Sequence, residues 1–270
     1  SSCSVGFTGR ETTGGDVSVR VQYDSFSAVV GFRAWMPEQF ALSATETTLN
    51  KVAQKGGRAV MDPGKKCLSP LYQSATVTAS TVLSRVEKGT GRTVSSSRVD
   101  LTKLFTFTVI GGDETAVAIT GNVVQGVKPA TGVKVGCKGS GPCPAQAVLS
   151  FAVTDDVALV TGLSASILNR LSLTSTFNKN KAFDSVSVFT VEAVADNLMD
   201  SEGNSAQVFA SAKTSDGAYM AMAAADLNVT SSVLAVTKKT TLTVPVGAAK
   251  AQGCDIVRVA WWSCGAEVVG

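Results

Sequence analysis

The stretch Asn122-Val-Val-Gln-Gly-Val-Lys-Pro-Ala-Thr-Gly-Val-Lys-Val-Gly-Cys137 decides between two folds. Its glycines, Lys128 and Thr131 fit a loop that cradles a phosphate, which would make the chain an α/β nucleotide binder. The other reading is a corner between two strands, and the choice decides whether an enzyme is to be looked for at all. A phosphate loop needs a helix behind it, because the helix N-terminus supplies the aligned amides. Thr131-Gly132 leads instead into Val133-Lys134-Val135, apolar and polar in turn, which is the period of a strand. The glycines of "GCKGSGPC" (136–143) are followed by Ala145 to Val153, which again alternates loosely and reads as a strand. The stretch is a corner, and the expectation for the chain is an all-β fold.

The same period recurs along the chain. In "VSVRVQY", Val17, Val19, Val21 and Tyr23 alternate with Ser18, Arg20 and Gln22. In "SATVTAS", Ala75, Val77 and Ala79 alternate with Thr76, Thr78 and Ser80, and in "DIVRVAWW" Val257, Val259 and Trp261 share one face. Period-two alternation means one buried and one wet face. Many such runs broken by Gly, Asp, Ser and Pro point to β-sandwiches. A weak helix of a turn or two is expected within "TETTLNKVAQK" (45–55), whose threonines count against a longer one.

Composition narrows the functions. Of 270 residues 44% are hydrophobic and 17% charged, so the chain is neither disordered nor charge-driven. A net charge of +3 points to no nucleic-acid or membrane-surface partner. No apolar run reaches the roughly 18–20 residues that cross a bilayer, so no membrane insertion is expected. The start at Ser1-Ser2-Cys3, without initiator Met or signal-peptide pattern, reads as a mature product or a piece of a longer chain. The absence of histidine removes Ser-His-Asp and Cys-His nucleophile systems and every His-containing zinc site. A carboxylate pair of the glycosidase kind is the remaining chemistry, and no two acids fall in a recognisable frame for it. The expectation is therefore no enzyme and no cofactor.

Candidate sites are few. Asp196, Asp200, Glu202 and Asn204 gather around Gly203 and are weak calcium candidates, without the EF-hand spacing. A solvated loop is the favoured reading of them. "DPGKKC" (62–67) reads as an exposed turn. Trp261 and Trp262 are adjacent on a strand and point to opposite faces, so one belongs to the core and the other marks a contact surface. Asn228-Val229-Thr230 is the N-x-[ST] sequon, which makes Asn228 a glycosylation candidate in a secreted chain. Six cysteines, at 3, 67, 137, 143, 254 and 264, contain no C-x-x-C pair and point to disulfides in an oxidising compartment.

The order of motifs resembles a known family. Phe32-Arg33-Ala34-Trp35 with Pro37, Cys67 with Leu71-Tyr72-Gln73, Val153-Thr154-Asp155-Asp156 and Ser215-Asp216-Gly217 follow one another as in the extracellular region of the transmembrane protein 132 family. "DETAVAITGNVVQGVKPATGVKVGC" (113–137) and the run from Asn228 to Trp261 are each similar to the closing half of a bacterial-type group-2 immunoglobulin-like module. Ala130 stands where that module usually has a Gly. The resemblance implies a cell-surface protein with tandem immunoglobulin-like domains that acts in adhesion or links the outside of the cell to the cytoskeleton. It also implies the division into residues 1–36, leading strands that are the end of a preceding domain or a strand pair packed on the next, then sandwiches at 37–155 and 156–270. The polar break Thr154-Asp155-Asp156 agrees with that division.

Cys137 and Cys143 flank "KGSGP", a hairpin-like loop that lets their Cα atoms approach to bonding distance. Cys3 with Cys67 is the second pairing expected, tying the leading strands to the first sandwich. Cys254 and Cys264 are about 33 Å apart if the strand between them is straight, so either that strand turns back or each pairs elsewhere. The functional expectation is a non-catalytic extracellular module for cell-surface adhesion or a surface fibre or coat, whose partners are other protein chains, itself included. The alternative is a glycan- or calcium-dependent ligand-binding module.

Overall fold

The computed structural model describes residues 13–139, 147–176, 190–196, 199, 201–247 and 257–269, with backbone alone for 139, 170–176 and 190–196. The fold is all-β and sandwich-like, and the helical elements among the described residues are short 3₁₀ turns. The chain divides into two units: residues 1–49 with 74–154, and residues 50–73 with 155–270. The expected sandwiches placed 50–73 in the first half of the chain, whereas its contacts group it with the second.

Unit 1 is built on the long strand β5 (Ser74–Val86), which follows β1 (Gly15–Tyr23), β2 (Phe26–Ala34), β3 (Met36–Ala44) and β4 (Thr48–Ala53) in the chain. β6 (Thr93–Asp100), β7 (Phe105–Gly111), β8 (Val117–Thr120), β9 (Val123–Gly126) and β10 (Ala130–Gly139) come next, then β11 (Val148–Leu168). β5 pairs antiparallel with β3, β6 and β9, and β9 pairs with β8. β10 pairs with β7 on one side and with the first part of β11 on the other. Alternate residues of these strands are buried: Ala75, Val77 and Ala79 on β5, Val133 and Val135 on β10, Phe151 and Val153 on β11. Phe40 of β3 meets Phe105 of β7 edge to face at 5.3 Å.

The stretch that posed the fold question is the corner between β9 and β10. The amides of Val127 and Lys128 donate to the Ala116 carbonyl at 2.8 and 3.5 Å. Lys128 Nζ sits 3.0 Å from the Asp113 carboxylate. Hydrogen bonds from Thr115 and from Lys128 hold that carboxyl at about 2. Both the loop amides and its lysine are thus committed to the fold rather than aimed at a ligand. At the neighbouring corner Gly112 has φ +84°, and a Cβ there would lie 2.7 Å from the Gly132 carbonyl oxygen, so only glycine fits.

The weak helix expected over 45–55 is instead β4 in its larger part. Leu49 and Val52 have helix-like spacing, but the backbone finds extended partners. Val52 N–H donates to the Leu71 carbonyl at 2.9 Å and Gln73 N–H to that of Asn50 at 2.9 Å. Thr45, Thr47 and Thr48 favour the extended form as well.

In unit 2 the segment 50–73 folds on itself. Val60 N–H donates to the Val52 carbonyl at 2.9 Å, and Leu71 N–H to that of Val60 at 2.8 Å. Beyond it lie β12 (Arg170–Thr176), β13 (Thr190–Asp196), β14 (Ser205–Thr214), β15 (Tyr219–Ala221) and β16 (Leu227–Ser231). They are followed by β17 (Ala235–Thr237), β18 (Thr241–Thr243), β19 (Val257–Ser263) and β20 (Ala266–Val268). The second part of β11 pairs with β14, which also pairs with β15 and β18. β12 pairs with β13, β17 with β18, and β16, β19 and β20 form a small sheet. Val52, Val60 and Leu71 bury with Val160, Ala212, Met220, Trp261 and Val268 in one core, and Val208, Leu227, Val229 and Leu242 form a second.

A disulfide joins Cys67 to Cys264, with Cα atoms 5.7 Å apart and a sequence separation of 197. This corrects the expected Cys3–Cys67 pair. β19 ends at Ser263 and the chain turns back into β20, so Cys264 is carried by a turn. Cys67 lies in the turn after the Pro63–Lys65 3₁₀ element, and both cysteines have positive φ, 60° and 54°. Cys137 is disulfide-bonded as well. Its expected partner Cys143 lies outside the described residues, as do Cys3 and Cys254.

Candidate interaction surface

β1 and β2 form a hairpin paired in register from Gly15↔Ala34 to Tyr23↔Phe26. The two-residue loop Asp24-Ser25 closes it, with Asp24 at φ 51°, a left-handed conformation that Asp adopts more readily than most residues. Directly opposed residues share a face. The pairs Val17/Phe32, Val19/Val30, Val21/Ala28 and Tyr23/Phe26 therefore lie on one side. The pairs Asp16/Arg33, Ser18/Gly31, Arg20/Val29 and Gln22/Ser27 lie on the other. One face of the ribbon is wholly apolar and the other almost wholly polar, as in half of a sandwich.

Nothing among the described residues covers the apolar half. Tyr23 is 83% and Phe26 75% exposed, and Val17, Val21, Val30 and Phe32 are exposed too. Among the described residues β2 has no second neighbour in its sheet. Nine residues of edge strand with no proline are open to pairing.

The base of the ribbon is firmly held. Gly15 pairs with Val86 of β5, and Val86 N–H donates to the Gly14 carbonyl at 3.0 Å. A Cβ on Gly14 would come within 2.5 Å of the carbonyl oxygens of Ala34 and Ser84, so the three strands meet there only because the residue is glycine. Arg85, buried, donates to Asp16 at 3.2 Å and Glu87 at 3.3 Å and lies over the Trp35 ring at 5.3 Å. The Lys88 amide donates to the other oxygen of Asp16 at 3.2 Å. A clamped base and an open apolar face together make a rigid presenting surface.

Unit 2 carries a polar network that the sequence motifs do not assemble by themselves. Buried Gln73 accepts from the Asn50 amide at 2.9 Å and donates to Thr214 Oγ1 at 3.0 Å and to Asp216 at 3.1 Å. Asn50 Nδ2 and the Thr214 hydroxyl donate to Asp216 at 2.9 and 2.7 Å. Partial burial pushes the Asp216 carboxyl up, but the bonds from Thr214, Asn50, the Ala218 amide and Gln73 outweigh it and hold the group below the usual carboxylate range. Nearby, Asp155 accepts from Lys51 at 3.2 Å and from the Tyr72 hydroxyl at 3.0 Å. Those bonds lower Asp155, while burial and then the Asp155 bond raise Tyr72. The groups satisfy one another, so the network positions chain segments and offers no free acid or base.

The other candidates fall as follows. Trp261 is 2% exposed in the core, and its neighbour Trp262 is 40% exposed on the opposite face of β19. Asn228 is exposed on β16, opposite Ala260. Glu202 accepts from the Gly247 amide at 2.8 Å, and Asn204 is held by backbone bonds to Ser201 and Val244. Asp200 and the side chain of Asp196 lie outside the described residues. Among the described residues no three metal-binding side chains gather. No described helix is long and apolar enough to cross a membrane.

The apolar partner face on β2 was the part not foreseen. Its signal was the two-residue Asp24-Ser25 link between two alternating runs, a hairpin pattern that places Phe26, Ala28, Val30 and Phe32 beside the valines of β1. Compared with known proteins, the chain matches no protein-family model and no curated sequence.

Proposed function

We propose that the chain is a non-catalytic module of an extracellular or cell-surface protein, built as tandem immunoglobulin-like sandwiches, that works by binding other protein chains in adhesion or in a surface fibre or coat. The observation that carries this reading is the open apolar face of the β1–β2 ribbon. A contiguous exposed apolar surface on a stably anchored element marks an association site. The Cys67–Cys264 disulfide supports an oxidising compartment, and exposed Asn228 in its sequon is accessible to glycosylation there.

The likeness to the transmembrane protein 132 family supports the same reading. Cys67, Leu71-Tyr72-Gln73, Asp155 and Ser215-Asp216-Gly217, the short motifs on which much of that likeness rests, are far apart in the chain. Here Tyr72 bonds Asp155 and Gln73 bonds Asp216, and Cys67 ties the same segment to Cys264.

The test is binding of the apolar-surface dye ANS to the non-reduced chain at low protein concentration. An open face gives strong fluorescence that falls several-fold in a Tyr23→Ser/Phe26→Ser variant. Absence of dye binding in the parent chain would show that the face is covered within the chain and would overturn the reading.

A further inference from the structure

We propose that the open face of the β1–β2 ribbon is covered by the same face of a second copy of this chain, the two ribbons stacking face to face and antiparallel about a two-fold axis. This rests on the reading of that face as an association surface and names its occupant.

Chemistry restricts the occupant first. The eight side chains Val17, Val19, Val21, Tyr23, Phe26, Ala28, Val30 and Phe32 bring no charge to the face. A partner must therefore present an uncharged apolar surface of similar length, and the ribbon of a second copy is one. Asp16, Arg20 and Arg33 lie on the reverse side, so pairing the apolar faces buries none of them and both reverse faces stay wet.

Shape decides the direction. Sheets pack face to face at about 10 Å, and facing layers fill that space best when bulk is spread evenly along them, the bulky tip row of one lying over the less bulky base row of the other. In the antiparallel arrangement the tip of each ribbon lies over the base of the other. Val17 then faces Tyr23, Phe32 faces Phe26, Val19 faces Val21 and Val30 faces Ala28 of the other copy. A tip-to-tip two-fold instead sets Tyr23 of each copy on Phe26 of the other, crowding the four tip aromatics at one end, and sets Val21 against Ala28 across a gap. Edge pairing of β2 with a second β2 leaves the apolar faces in water, so face stacking is the arrangement that removes the exposed surface.

The area is sufficient. With aromatic side chains burying about 150–250 Å² each and valines somewhat less, the face offers roughly 700 Å² per copy and roughly 1,400 Å² per pair. Specific interfaces bury about 1,200–2,000 Å² in total. Ends held by Gly14 and Arg85 also mean that little ordering of the ribbon is left to be done on association.

Sedimentation equilibrium of the non-reduced full chain over a wide concentration range tests this. The parent chain is expected to pass from monomer to dimer. Val30→Lys, which places a charge in the middle of the interface, should weaken the dimer at least about 100-fold. Ser18→Lys, on the reverse face of the same strand pair, should dimerise as the parent does. Mixing Val30→Lys with Ala28→Glu should restore a one-to-one dimer, because residue 30 of one copy lies over residue 28 of the other. A dimer unaffected by Val30→Lys would overturn the inference. A monomer at every concentration would also overturn it. If that monomer binds ANS at the ribbon, the face serves a foreign partner and the proposed function stands. If it does not, both readings fall.

Discussion

In the segment 50–73, Val52, Val60 and Leu71 close against Trp261 and Val268, whereas in the ribbon 15–34 Val17, Val21, Tyr23, Phe26, Val30 and Phe32 stand exposed on one apolar face. Both stretches are strands joined by turns, and both are tied to longer elements by a specific device. The segment has the Cys67–Cys264 bridge and the Gln73–Asp216 network. The ribbon has Gly14 and the Arg85 cluster. The difference lies in the cover. The segment's cover is made by its own chain nearly 200 residues later. The ribbon's cover is not made by any described residue.

Breaking the covered side of the comparison should have the largest effect. Trp261 is the centre of the core that receives 50–73, and truncating it leaves a cavity that this small core cannot close. Trp261→Ala is expected to cost about 3–5 kcal/mol in urea unfolding. Its indole Nε1 is buried without a hydrogen-bond partner, so Trp261→Phe removes bulk but no bond and should be distinctly milder. A cost for Trp261→Ala under about 1 kcal/mol would mean that the segment does not depend on that core. Next comes the bridge. Cys67→Ala/Cys264→Ala should lose about 2–5 kcal/mol, since the linked residues are separated by most of the chain. Protease cutting within 50–73 should rise with it, and a segment still protected after the bridge is gone would show that packing alone closes it.

The polar clamp should matter less and should show its own pH signature. Asp216→Ala leaves the buried Gln73 amide short of an acceptor, while the Thr214 hydroxyl keeps the Ala218 carbonyl, at a cost of about 1–3 kcal/mol. In the parent protein the Asp216 carboxyl is held below its ordinary value. Its stabilising contribution is therefore fully present above the unfolded value of about 3.9 and is lost as pH falls through the lower folded value. Thermal unfolding of the parent and the variant should converge as the pH drops below about 4. A difference that stays constant across that range would assign the effect to shape and not to the charge.

Much of this was legible in residues 17–23 and 122–137 alone. The alternation of Val17 to Tyr23 and of Val133 and Val135 named strands, and the missing helix after Thr131-Gly132 named a corner. These are local properties, fixed by the two-residue period of an extended chain. The Cys67–Cys264 bridge, the attachment of 50–73 to unit 2 and the meeting of Gln73 with Asp216 were not legible. Each joins residues that only a finished fold brings together, and no spacing rule reaches across 143 or 197 residues. β4 was misread for a related reason. Leu49 and Val52 carry helical spacing, and only the distant carbonyl of Leu71 decides that the chain there is extended. The ribbon falls between these cases: its faces were readable, but the alternation of a strand states which face is apolar and never what covers it.

The smallest expected effect is on the open side, and it is the one that sharpens the comparison most. Phe26 is three-quarters exposed at the ribbon tip, so at low concentration Phe26→Ser should leave unfolding within about 0.5 kcal/mol of the parent. A cost of about 2–3 kcal/mol would mean that Phe26 is packed in the folded monomer and that the two regions do not differ after all. Raising the concentration should then separate the two proteins. If association through the face is real, each tenfold rise well above the dissociation constant adds about 0.7 kcal/mol per chain to the parent by mass action, since free monomer rises as the square root of the total. The parent's unfolding temperature should climb with concentration while that of Phe26→Ser stays nearly flat. Val52→Ala, on the covered side, should show the reverse behaviour: a large cost at every concentration and no change with it, because its cover belongs to its own chain.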